Sequence, residues 1–285
     1  MKTVVLSNAT VFLFFFMQCC NFYTRHPSYQ QIHNFLKLNW IKMKPQKQKF
    51  NILIPMLILI LGLQSCGFDA NAIRGDGNVI SVESNLDDFT ALDASGIFKI
   101  FLLEGDNPHI RIETDENIHE YISFDVRRNT LKLSMKNNQI YRPTRLHVYL
   151  TVSTIEKLDL SGATSLEADH TLVSPSLAIS ISGAGDLDLD IETRDLRTTV
   201  SGAGNISLSG TADTHEVRLS GAASMKCADL KTRKTKISLS GAGSADVYAS
   251  EVLDASISGV GSIKYAGDPE KTNISKSGLG SIRPI

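Results

Sequence analysis

The sequence predicts an all-β protein, a parallel β-helix or β-solenoid of about seven Ser-Gly-x-Gly rungs with an irregular N-terminal β region. Three observations predict it. A Ser-Gly motif begins at Ser161, Ser182, Ser201, Ser220, Ser240, Ser258 and Ser277, about 19 residues apart. Apolar residues stand two apart on each side of every motif, the period of a strand. No helical 3.6 spacing interrupts them.

Taken in chain order, the first segment reads as an address. Met43 opens a stretch with Lys44, Lys47 and Lys49, then the apolar run Ile52 to Leu63, then Leu63-Gln64-Ser65-Cys66. This is the three-part layout of a bacterial export signal, and its end resembles a lipobox, where Cys66 is lipidated and the peptide before it removed. The apolar run is about 12 residues and contains Pro55, too short for the roughly 20 residues a spanning helix needs. Cys66 is followed by Gly67 rather than Asp, which favours an outer-membrane destination over inner-membrane retention. The expected boundaries are therefore an over-extended start at 1–42, with translation beginning at Met43, and a lipoprotein signal peptide at 43–65. A tether follows at 66–77 and a β domain at 78–285, with repeats from about 155.

Residues 78–152 lack the full motif but keep the strand pattern. Ile97–Leu103 and His109–Glu113 flank the turn Gly105-Asp106-Asn107-Pro108, and Leu131–Met135 and Leu146–Val152 read as further strands. Asp115–Tyr121 suggests a short helix, and Ser95-Gly96 is a worn copy of the corner.

Alignment on the motif Ser exposes the columns of the repeat. Three before it stand Leu158, Ile179, Thr198, Val217, Ile237, Ala255 and Ile274; one before it stand Leu160, Ile181, Val200, Leu219, Leu239, Ile257 and Lys276. Five after it stand Leu166, Leu187, Ile206, Met225, Ala245, Ile263 and Ile282. Seven after it stand Ala168, Leu189, Leu208, Cys227, Val247, Tyr265 and Pro284. One such unit cannot bury its apolar face alone, whereas stacked copies share one core. The glycines Gly162, Gly183, Gly202, Gly221, Gly241, Gly259 and Gly278 are expected to be structural turns. A phosphate cradle would need a helix directly after the glycines, and here a strand follows. Lys276 in an apolar column, with Pro284, guards the last rung against end-to-end pairing, so a monomer or weak dimer is expected.

The chemistry of the outer face is sparse. Residues 1–65 hold seven Lys/Arg and no Asp or Glu, leaving 22 basic against 30 acidic residues in 66–285. An acidic folded part has no general attraction for phosphate backbones, so nucleic acid is not an expected partner. Asp186, Asp188 and Asp190 alternate outward and are candidates for holding a cation such as Ca²⁺. Their equivalents on the next rung are Asn205, Ser207 and Ser209, so the patch is one strand deep and reads as a solvated acidic face. Cys227 shares its column with Leu189, Leu208 and Val247, the setting of a buried structural thiol. With Cys19, Cys20 and Cys66 it offers no disulfide framework or paired-metal spacing. The histidines His109, His119, His147, His170 and His215 are scattered, and no catalytic motif, cofactor or active site is expected.

The lipobox, Ser-Gly-Ile-Phe-Lys-Ile at 95–100 and the Ser-Gly-Ala-Gly rungs together resemble the autotransporter-adhesin head domain, the GIN domain, over about residues 88–285. The resemblance implies a bacterial surface or periplasmic protein without established catalytic residues. The function expected is a noncatalytic envelope module, adhesin-like or structural, held to the outer membrane of a Gram-negative bacterium by Cys66. Its partner would be the membrane and an envelope polymer, a glycan or a protein. The alternative is a carbohydrate-active β-helix enzyme, a polysaccharide lyase or hydrolase, which would need carboxylates gathered over neighbouring rungs.

Overall fold

The computed structural model describes residues 72–136 and 139–285. The expected start, signal peptide and lipidation site at Cys66 lie outside the described residues, as does half of the tether. The described chain is all-β, with one short helix, and most of its strands belong to one large mixed sheet.

The N-terminal part is more regular than the sequence suggests. After β1 (Ile73–Arg74) come β2 (Val79–Asn85), β3 (Ala91–Gly96), β4 (Lys99–Glu104) and β5 (His109–Asp115). The helix α1 (Glu116–His119) buries Ile118, and β6 (Ile122–Arg127), β7 (Thr130–Met135), β8 (Tyr141–Arg142) and β9 (Leu146–Val152) follow. Strands β2, β5 and β9 pair antiparallel, but β9 runs parallel to β4. The Gly105–Pro108 turn therefore does not close a hairpin: β9 lies between the two strands it joins. The chain leaves the strand at the Gly96 corner, so Ile97 is outside β4 and the strand begins at Lys99. Strands β6 and β7 do form a hairpin, through Arg128 (φ 50°) and Asn129 (φ 64°), the two positive φ values of a type I′ turn.

The repeat segment is extended almost throughout. Strand β10 (Lys157–Lys226) is a run of 70 residues, followed by β11 (Leu230–Gly241) and β12 (Ser244–Tyr248). Then come β13 (Val252–Gly259), β14 (Ser262–Ala266), β15 (Lys271–Gly278) and β16 (Ser281–Pro284). Neighbouring copies pair in parallel and in motif register: Ser220 opposite Ser240, Ser240 opposite Ser258, Ser258 opposite Ser277. The register reaches back into the N-terminal part, since Ser161 and Gly162 pair with Ser95 and Gly96. From Gly162 to Gly278 each motif glycine sits against the preceding one, so closely that a Cβ would strike that neighbour's carbonyl oxygen. Such contact needs glycine at every step.

The aligned apolar columns are the core. Leu158, Ile179, Val217 and Ile237 are buried in one, and Leu160, Ile181, Val200, Leu219 and Leu239 in the next. Beyond the corner, Leu166, Leu187, Ile206, Met225 and Ile263 are buried in a third column. Each strand thus exposes alternate side chains, and candidate chemistry is confined to those positions and to the corners.

Candidate functional site

The structure brings together two outward groups of side chains and leaves the acidic triplet dispersed. Asp186, Asp188 and Asp190 are exposed on one edge-to-edge line of β10. Asp186 Oδ1 accepts hydrogen bonds from the backbone N–H and side-chain amide of Asn205, at 3.0 and 2.9 Å. Asp190 accepts from Thr171 Oγ1 at 2.6 Å and Ser209 Oγ at 3.0 Å. Asp186 and Asp190 thus bond residues of neighbouring repeat copies rather than meeting at one point. Among the described residues, no group of three or more His, Cys, Asp and Glu gathers to hold a metal ion.

Cys227 is 1 % exposed. Burial pushes its thiol up to about 12, with the Asp246 charge adding to the effect against a hydrogen bond to the Leu208 backbone. A thiol held protonated is a poor nucleophile. His215 is also buried, its Nε2 3.1 Å from Thr198 Oγ1, and desolvation takes its pKa down to about 3. His147 lies on the outer face, its pKa lowered by burial and then by the charges of Arg145 and Lys99. His109 lies 3.8 Å from Glu83, and His170 2.8 Å from Asp169. No two of these histidines share a site.

The first outward group is a cross-strand ladder at the N-terminal end of the sheet. Register places Arg111, Tyr149 and Phe101 side by side on β5, β9 and β4. The Phe101 and Tyr149 rings stack at 4.9 Å and 15°, and the Arg111 guanidinium lies 3.8 Å from the Tyr149 centroid. Lys99 adds a contact of 5.0 Å to Phe101 and an ion pair of 3.1 Å to Glu167. Both faces of Tyr149 are thereby occupied from within the sheet. The ladder ties strands together and presents ring edges, not a flat stacking platform. The alignment could not reveal it, because it depends on β9 entering between β4 and β5.

The second group is a trench at a corner of the repeat segment, where four successive copies each contribute an exposed, a buried and an exposed residue. Ser174, Thr193 and Ala212 form the buried floor, and Thr232 is buried at the equivalent position of the fourth copy. One wall is Val173, Glu192, Thr211 and Lys231; the other is Pro175, Arg194, Asp213 and Arg233. The open space between them is about 630 Å³. Charge alternates along the second wall, and Arg233 bridges two copies, 3.7 Å from Asp213 and 2.7 Å from Glu251. Lys231 Nζ donates to the Ala228 carbonyl at 3.1 Å and lies 4.3 Å from the Tyr248 ring centroid. The Thr193 hydroxyl is buried and has no hydrogen-bond partner. These residues lie about 12 positions after the motif Ser, where only an alignment carried beyond the apolar columns shows the alternation.

The family model described as "Putative auto-transporter adhesin, head GIN domain" matches residues 88–269. Among solved structures, a "putative adhesin" from Bacteroides fragilis NCTC 9343 is 25% identical with a TM-score of 0.70, covering 75% of this chain and 100% of that one. A "putative lipid binding protein" from Parabacteroides distasonis ATCC 8503 is 26% identical with a TM-score of 0.60, covering 75% and 100%. A "putative adhesin" from Parabacteroides merdae ATCC 43184, 20% identical with a TM-score of 0.57, covers 76% and 100% and shares the fold. No curated protein matches. Because the family match spans well over half of the sequence and includes both the Ser-Gly-Ile-Phe-Lys-Ile segment at 95–100 and the Ser-Gly copies up to Ser258, the chain belongs to this adhesin-head GIN-domain family.

Proposed function

We propose that the chain is a noncatalytic, lipid-anchored, adhesin-like module of the cell envelope, held by Cys66 to the outer membrane of a Gram-negative bacterium on its periplasmic or surface side. Its scaffold is a β-solenoid whose rungs turn at the Ser-Gly corners. The glycine stack from Gly162 to Gly278 carries this reading, because parallel copies in register build a long, rigid side wall rather than an enclosed catalytic pocket. Family membership and the likeness to the Bacteroides fragilis adhesin support a surface role.

Fractionation tests the anchor. The full chain expressed in a Gram-negative host is expected in the membrane fraction, with a mature mass that begins at a lipidated Cys66. Cys66→Ser should move it to the soluble fraction. Unchanged membrane association of the variant would overturn the anchor. Release of reducing ends from a polysaccharide by the purified chain would overturn the noncatalytic reading in favour of the β-helix enzyme.

A further inference from the structure

We propose that the corner trench binds an uncharged glycan chain laid along the stacking direction. The proposal rests on the reading of the chain as a noncatalytic surface module and names the ligand class and the place of contact.

Shape is the first argument. Small buried residues floor the trench over three consecutive copies, and exposed side chains wall it on both sides over four. At about 4.8 Å per parallel strand, three steps give a track of roughly 14 Å, suited to a short run of an extended polymer.

Charge selects the polymer. Arg194, Asp213 and Arg233 present opposite signs at successive steps, so a uniform polyanion or polycation meets repulsion at every second position. A chain of hydroxyl groups, each able to donate and accept, suits alternating guanidinium and carboxylate groups throughout. Val173, 60% exposed, gives one apolar contact at the end of the trench against which the C–H face of a sugar ring can rest.

Backbone pairing argues against a peptide. Extended peptides gain affinity by adding a strand to an open sheet edge. Along the trench, Thr211 already pairs with Lys231 on the neighbouring strand, so the backbone of this stretch is committed within the sheet.

The test uses the purified full chain on immobilised xylan, mannan and β-glucan, with polygalacturonate and heparin as polyanions. Binding to at least one neutral polysaccharide is expected. Thr211→Trp, which fills the trench at an exposed strand position, should weaken it at least tenfold with an unchanged melting temperature. Asp213→Asn, which keeps the shape and removes a charge, should weaken it several-fold, and Asp188→Asn on another face should leave it unchanged. Failure to bind any neutral polysaccharide, preference for a polyanion, or wild-type binding by folded Thr211→Trp would each overturn the proposal. A chain that is anchored through Cys66 yet binds none of these polysaccharides overturns the trench proposal alone and leaves the surface-module reading intact.

Discussion

His215 occupies a core position flanked in register by Thr235, with Leu253 one copy further on. Its hydroxyl partner Thr198 stands in a column otherwise filled by residues such as Ile179, Val217 and Ile237. A polar pair has replaced an apolar one, and each member satisfies the other. The cost appears on acidification. Folded His215 titrates at about 3 against 6.5 when exposed, so between those values the unfolded chain binds more protons than the folded one. Stability is therefore complete above pH 6.5 and falls as pH drops towards 3, by about 1.4 kcal/mol per unit and up to about 5 kcal/mol in all. His215→Leu alone removes that slope but leaves the Thr198 hydroxyl unpartnered. The double variant His215→Leu/Thr198→Val should remove the slope and restore packing. Urea melts from pH 7 to pH 4 check this; a double variant that loses stability with acid as steeply as the wild type would rule His215 out as the source.

A repeat copy is specified by what its motif glycine permits. Gly241 has φ +137° and lies against the Gly221 carbonyl, so a side chain there meets both a disfavoured backbone conformation and a backbone collision. The neighbouring carbonyl cannot move away without opening its own ladder, since Ala242 N–H donates to Gly221 O at 2.9 Å. Gly241→Val is expected to cost more than about 3 kcal/mol, read as a large fall in the thermal midpoint or as insoluble protein. The exposed Ser240→Ala at the next position should change the midpoint little. A folded Gly241→Val of near-native midpoint would show that the stack tolerates a wider corner. Charge adds a second level of specification. Arg197 and Arg218 both bridge to Glu216, at 2.8 and 2.6 Å, linking adjacent copies and the same strand. A slip by one copy would bring like charges together in such columns, which disfavours misregistered stacking.

At the scale of the whole molecule, the repeat half was legible because its columns obey one rule, apolar inward and glycine at the corner, at every copy. Cys227 and the apolar columns could be assigned from position alone. The N-terminal half was legible only as strands. Which strand lies beside which depends on β9 pairing with both β4 and β5, a long-range choice that no local pattern encodes. The trench went unread because its walls vary in sequence and share only geometry. The junction between the two ends of the proposed function was equally hidden. Within the second half of the expected tether, Asp76 N–H donates to Asn117 at 3.1 Å, and the Arg74 carbonyl accepts from Asn117 at 2.7 Å. Buried Asp115 accepts from Gly77 N–H at 2.9 Å and Thr144 N–H at 2.7 Å. Strand β1 pairs with β8, so the chain is fastened from Ile73 onward. Only residues 67–72 separate Ile73 from Cys66. At 3.3–3.6 Å per residue, the lipid proposed on Cys66 would hold Ile73 within about 25 Å of its attachment point. A fluorophore on Asn78→Cys in a Cys227→Ala background should therefore be quenched by a quencher carried on lipid headgroups. Quenching should fall when a 20-residue Gly/Ser linker is inserted after Gly67, because a flexible linker lengthens the mean span. Equal quenching with and without the linker would mean that the domain contacts the bilayer through its own surface rather than being held near it by the tether.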